Sequence, residues 1–143
     1  VTGLLRVLVT GSRSWQEPQV IADVLLDCWH DATQLGAPGI VVVHGGARGA
    51  DAMAGAWAEV NGVAVEPVPA GWDNCGPKCA PGHRRKRGNR EWCPTAGHRR
   101  NQAMVDRGAA VVVGFWRAPG TGTLDCLARA ERAGIPGRRI DAS

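Results

Sequence analysis

Three cysteines and a histidine stand close together at Cys75-x3-Cys79-x3-His83-x9-Cys93. Thiolates and an imidazole at such short spacings are the donors that zinc takes in a closed tetrahedron. Gly76-Pro77 and Pro81-Gly82 supply the tight turns between them. A bound metal orders a polar loop that has no apolar core of its own. The spacing matches no common finger pattern. His83 is the favoured fourth ligand, and His98, five residues after Cys93, is the alternative as a ligand or pocket residue. Four protein ligands leave no open position, so the zinc expected here is structural. The plain alternative is a basic loop with free thiols.

A second stretch with chemistry in it is Gly45-Gly46-Ala47-Arg48-Gly49-Ala50-Asp51. The apolar run Ile40-Val41-Val42-Val43 enters it and an amphipathic run over 53–60 leaves it. A buried strand, a glycine turn and a helix start form the arrangement with which α/β proteins hold an anion. Glycine permits close approach, and the first helical turn offers unpaired N–H groups at the positive end of the dipole. Arg48 adds a planar fork suited to phosphate. Asp51 lies inside the helix start, where the dipole favours its carboxylate. Its structural role would be to cap, and its chemical role to act on a ligand.

Two more glycine turns have the same character: Thr10-Gly11-Ser12-Arg13 and Pro119-Gly120-Thr121-Gly122-Thr123. Apolar runs predict strands over 4–10, 40–44, 63–68 and 109–115, with a short last strand over 135–140. Pro67 marks the third strand as an edge. Amphipathic spacing predicts helices starting at Glu17-Pro18, at Gly49, at Ala96 with Thr95 as cap, and at Thr123. This alternation points to an α/β fold: a single Rossmann-like, doubly wound parallel sheet with helices on both faces. The whole chain, 1–143, reads as one domain, with 69–94 as a Cys/His-rich basic insertion. All three glycine turns fall at the C-terminal edge of the strands, where such sheets bind ligands.

A chain of 143 residues is long enough to bury a real core. No apolar run approaches the ~18 residues of a membrane span, and no leader pattern opens the chain. The expectation is a cytoplasmic protein without a membrane partner. The net charge of +4 is unevenly spread. Lys78, Arg84, Arg85, Lys86, Arg87, Arg90, Arg99 and Arg100 crowd one segment against a single acid, Glu91. Cys28 and Cys126 lie in amphipathic patterns and read as small core residues. An odd cysteine total argues against a disulfide framework.

Together, Thr10-Gly11-Ser12-Arg13, the stretch over 45–51, Arg100-Asn101 with Met104, and Gly120-Thr121-Gly122-Thr123 resemble the SLOG superfamily, and within it the YspA-type branch. That superfamily includes the LOG phosphoribohydrolases, the DNA-processing protein DprA and sensor domains for nucleotide-derived signals. The resemblance implies a pocket for a nucleotide or nucleotide derivative, and a binding module or sensor rather than necessarily an enzyme. On this resemblance Gly11 and Ser12 line the base or ribose side, with Thr10 and Arg13 beside them. Gly45, Gly46 and Arg48 lie over the ligand. Gly120, Thr121, Gly122 and Thr123 hold phosphate, and Arg100 and Asn101 face the same cleft.

The LOG motif ends in a glutamate used in N-glycosidic cleavage. Here Cys126 stands in its place with Asp125 beside it. An oxocarbenium-like state needs a carboxylate, so a nucleotide N-glycosidase would have to use Asp51 or Asp125. A third reading is a DprA-like binder of single-stranded nucleic acid. The run Arg84-Arg85-Lys86-Arg87 with Arg90, flanked by Trp72 and Trp92, has the cations and stacking rings for it. The same cations could draw a polyanionic nucleotide toward the cleft. Trp15, Trp29, Trp57 and Trp116 include candidates for a homodimer face.

Overall fold

A computed structural model describes residues 3–143. In chain order its first elements are β1 (Leu5–Gly11), α1 (Pro18–Gln34), β2 (Ile40–His44), α2 (Ala50–Val60) and β3 (Ala64–Pro67). There follow β4 (Arg85–Arg87), β5 (Arg90–Trp92), α3 (Ala96–Asp106), β6 (Val111–Trp116), α4 (Thr121–Arg132) and β7 (Gly137–Asp141). Five strands form a parallel sheet in the order β3-β2-β1-β6-β7, and β4 and β5 pair antiparallel as a separate hairpin.

The α/β reading stands, and the pleat shows why. Successive side chains of a strand point to opposite faces. Val7 and Val9 of β1 therefore pack with Ile21, Val24 and Leu25 of α1 and Ala50, Ala54 and Ala58 of α2. Leu8, between them, joins Met104 and Val105 of α3 and Cys126 and Ala130 of α4 on the other face. With both faces covered, the central strands read as continuous apolar runs. Cys126 is fully buried, the core residue its spacing predicts. No helix among the described residues is long and apolar enough to cross a membrane.

From β1 the chain winds outward through β2 to β3, then α3 returns it across the sheet to β6, beside β1 on its free side. The winding reverses between β1 and β6, and a crevice opens there beyond their C-terminal ends. Pro67 does lie on an edge strand. Next to it Glu66 accepts both prongs of Arg6 at 2.8 Å and a bond from Arg107 at 3.2 Å, which hold its carboxyl at about 2.

Several local expectations are corrected. Thr95 stands at the N-cap position of α3 but makes no capping bond. Its Oγ1 turns instead toward the sulfurs of Cys79 and Cys93 and accepts from Arg99. α4 begins at Thr121, two residues early, because Gly120 completes the turn in the left-handed region at φ 45°. Trp15 offers no dimer face: it is 2% exposed and packs against Phe115 in the core, centroids 5.5 Å apart. Trp29 and Trp57 meet edge to face at 6.1 Å and join α1 to α2. The hairpin β4–β5 had no apolar alternation to announce it.

Candidate functional site

At the crevice the backbone N–H of Ser12 donates to Phe115 at 2.9 Å. Its hydroxyl donates to the Arg117 carbonyl and accepts the Arg117 N–H, both at 2.8 Å. These bonds hold the loops after β1 and β6 side by side. In front of them opens a cavity of about 490 Å³. Thr10, Gly11, Ser12 and Arg13 line it from the end of β1 and the loop after it, Arg100 and Asn101 from α3, and Gly120, Thr121, Gly122 and Thr123 from the N-cap and first turn of α4. The structure thus brings most of the residues singled out in the sequence to one hollow.

The stretch over 45–51 behaves differently. Asp51 and Ala47 line the cavity, whereas Gly45, Gly46 and Arg48 do not. Asp51 Oδ2 accepts the N–H of Gly45 at 3.1 Å and of Ala47 at 3.2 Å, folding the loop back over α2. The first N–H of α2, from Ala50, is taken by the Ser12 carbonyl at 3.3 Å. Arg48 is left on the exposed outer side. One N–H of the α2 amino terminus is thus taken, whereas the residues that start α4, Gly120 to Thr123, line the cavity. No side chain caps α4, and the N–H groups of its first turn have no intrahelical acceptor.

Positive charge at the cavity comes from Arg13 and from Arg100 rather than Arg48. Arg100 donates through Nη1 to the Gly45 carbonyl and through Nε to Asn101 Oδ1 at 3.0 Å. A Cβ on Gly45 would overlap that guanidinium, so a larger residue there would require Arg100 to shift. His44 Nδ1 accepts the Gly46 N–H at 3.0 Å, and burial, aided by Arg100, pushes this imidazole below its usual pKa.

Burial pushes the Asp51 carboxyl up to about 6, against the hydrogen bonds from Ala47 and Gly45 and the attraction of Arg100 and Arg13. Its Oδ1 is buried without a partner. Because the folded-state pKa lies above the unfolded value, the carboxyl favours folding less as pH rises through that interval. Asp51→Asn, which keeps an acceptor for both N–H groups, should therefore become relatively more stable as pH increases. Urea unfolding should find the variant's stability relative to wild type more favourable by about 2 kcal/mol at pH 7.5 than at pH 4.5. A pH-independent difference would remove the buried carboxylate from the account. Asp125, by contrast, lies outside the cavity lining. Burial works against its charge, but bonds from Arg129 at 2.9 Å and Asn101 at 3.0 Å hold its carboxyl below the ordinary range.

Behind one wall of the cavity the ligating atoms of Cys75, Cys79, His83 and Cys93 lie within 4.8 Å of one another. His83 Nε2 is 3.3 Å from Cys75 Sγ and 3.2 Å from Cys93 Sγ, and Cys79 Sγ is 3.9 Å from Cys93 Sγ. A tetrahedral zinc with these donors spaces them about 3.5–3.8 Å apart. All the cysteines are free thiols. His83, not His98, completes the set, and His98 faces the cavity.

Desolvation opposes charge on Cys93, but hydrogen bonds from Thr95 and Arg99 outweigh it and bring the thiol down to about 5. Arg99 Nη1 lies 3.4 Å from Cys79 Sγ and 3.3 Å from Cys93 Sγ, and Arg84 Nη1 lies 3.5 Å from Cys75 Sγ. Two guanidiniums thus lie against the three sulfurs. Arg99→Ala should weaken metal binding about tenfold or more, as losses of outer-shell partners do, measured by competition with a chromogenic chelator. Unchanged affinity would assign Arg99 to its bonds with the Thr95 hydroxyl at 3.0 Å and the Asn74 carbonyl at 2.6 Å.

The cluster also shapes the cavity. Cys93 N–H donates to the Trp72 carbonyl at 2.6 Å, and Trp72 lines the cavity with Arg13 stacked 5.6 Å from its ring centre. A Cβ on Gly97 would come within 3.1 Å of that indole, so glycine in the first turn of α3 makes room for it. Gly97 and Arg99 were not foreseen as site residues. A helix-weakening glycine two residues before the Arg99-Arg100 pair was the available signal.

A family model described as the YspA, cpYpsA-related SLOG family matches residues 5–74. The chain is 38% identical over 136 residues to the Gene 61 protein of Mycobacterium phage D29, covering 92% of each chain. Among solved structures it resembles the DNA processing protein A (DprA) of Streptococcus pneumoniae, with TM-score 0.68 and 20% identity over 98% of this chain. It spans about half of that protein, 51% of its length. It also resembles the protein TM1055, with TM-score 0.57 and 20% identity over 94% of this chain and 72% of that one. At such identities these two likenesses are of fold.

Proposed function

The chain belongs to the YspA, cpYpsA-related SLOG family, and from that membership we propose that it is a module that binds a nucleotide or nucleotide-derived ligand in the cavity at the C-terminal edge of the sheet. The observation that carries the reading is the uncapped amino terminus of α4 opening into that cavity. A phosphate there would accept the free N–H groups of Thr121, Gly122 and Thr123 and the dipole end of α4. Arg13 and Arg100 would supply counter-charge, and Trp72 a flat face for a base.

The Cys75, Cys79, His83 and Cys93 set is read as a structural zinc site. Three thiolates and an imidazole suit zinc over magnesium or calcium, and four protein ligands close its shell. When bound, the metal supplies cross-linking and no chemistry on the ligand. The free thiols suit a reducing compartment, the cytoplasm.

A nucleotide N-glycosidase is the second reading, favoured by the carboxyl of Asp51, raised by burial to about 6, in the cavity lining. A thermal-shift panel of nucleoside mono-, di- and triphosphates on metal-loaded protein tests the first reading, with base release followed in the same samples. Stabilisation without free base supports the binding module. Free base selects the hydrolase, and absence of any shift at millimolar nucleotide contradicts both.

A further inference from the structure

The β4–β5 hairpin lies outside the cavity lining. It is formed by 84–92, the residues between His83 and Cys93, so the metal cluster clamps both of its ends. Its turn is Gly88-Asn89, with Gly88 at φ 61°. Directly paired residues of an antiparallel ladder share a face. Arg85 pairs with Trp92 and Arg87 with Arg90, so these four share one face, while Lys86 and Glu91 take the other.

That face has an arrangement a free-standing hairpin would avoid. Like charges directly opposite one another are unfavourable, and Arg87 stands opposite Arg90. The one acid of the hairpin, Glu91, lies on the far side and is bound by Arg84 at 2.6 Å. Among the described residues no carboxylate lies within ion-pair distance of Arg85, Arg87 or Arg90, and all three are exposed. The Arg90 guanidinium sits over the Trp92 ring, 5.8 Å from its centre. Three unneutralised guanidiniums beside a flat indole are complementary to a phosphodiester chain with unstacked bases.

We propose that this face binds single-stranded nucleic acid, with Arg85, Arg87 and Arg90 on the phosphates and Trp92 stacked on a base. The surface is separate from the cavity. A duplex, whose base faces are hidden, would gain nothing from Trp92.

Fluorescence anisotropy with a labelled oligothymidylate and the full chain tests it, with zinc content measured for every variant. Three phosphate contacts should make the affinity fall about twenty-fold between 50 and 200 mM salt. The triple variant Arg85→Ala/Arg87→Ala/Arg90→Ala should lose that dependence and most of the binding. Trp92→Ala should weaken binding about tenfold, and Trp92→Phe should largely restore it. The arginines are not ligands, so the triple variant remains decisive if Trp92→Ala loosens Cys93. Undiminished binding by the triple variant would overturn the proposal, as would no binding at 50 mM salt. Equal affinity for duplex with Trp92 irrelevant would also overturn it. Nucleotide-induced thermal shifts in the cavity should be unchanged in the triple arginine variant, which separates failure here from failure of the cavity reading.

Discussion

If the cluster holds zinc, Cys79→Ser should abolish stoichiometric metal and lower stability by about 3 kcal/mol, a fall of roughly 10 °C in the melting midpoint for a chain of this size. The serine hydroxyl stays protonated near neutral pH and does not replace a thiolate ligand. Cys79 joins the turn begun at Gly76 to Cys93 and to Arg99 of α3. Without it the segment over 74–93 has little to order it, since its strands are charged and only Cys93 is fully buried. The sheet and its two apolar layers contain none of these ligands except through the start of α3, so the core should still melt cooperatively. Trp72, held by Cys93, should loosen, and ligand affinity should fall with it. Atomic absorption and calorimetry on the same sample check both effects. A variant that retains one equivalent of zinc would refute the ligand assignment.

The second large effect separates binding from folding. Gly122 lies in the first turn of α4, faces the cavity, and has open space where a Cβ would stand. Gly122→Glu replaces the poorest helix former short of proline, worth up to about 1 kcal/mol. It also places a carboxylate at the positive end of the helix, worth about 0.3–1 kcal/mol more. The melting midpoint should therefore rise by a few degrees. If phosphate sits at that terminus, the same carboxylate occupies its place and repels it, and nucleotide affinity should fall more than a hundredfold. Isothermal titration with scanning calorimetry reads both. A stabilised variant that binds as tightly as wild type would move the phosphate elsewhere.

The central sheet was legible because β1, β2 and β6 are buried on both faces and show it as unbroken apolar runs. The order of the glycine turns placed the crevice, since connections in a parallel sheet put alternate loops at one edge. The histidine of the cluster was legible too, His83 lying between cysteines at turn spacing. Arg48 was not, because a local motif does not say which way a loop folds. That direction is set by Asp51 Oδ2 taking two backbone N–H groups, which turns Arg48 outward and leaves Arg100, from a distant helix, beside Gly45. The hairpin was hidden for a different reason. Arg85, Lys86 and Arg87 have no strand pattern of their own, and their pairing depends on partners across the turn and on the cluster closing its base.

The nucleotide reading comes down to where a phosphate lies. A crystal structure of the metal-loaded protein with a nucleoside monophosphate tests this most directly. It should place the phosphorus within hydrogen-bonding reach of the Gly122 and Thr123 N–H groups and the base against Trp72. A nucleotide bound elsewhere, with the start of α4 left to solvent, would contradict it.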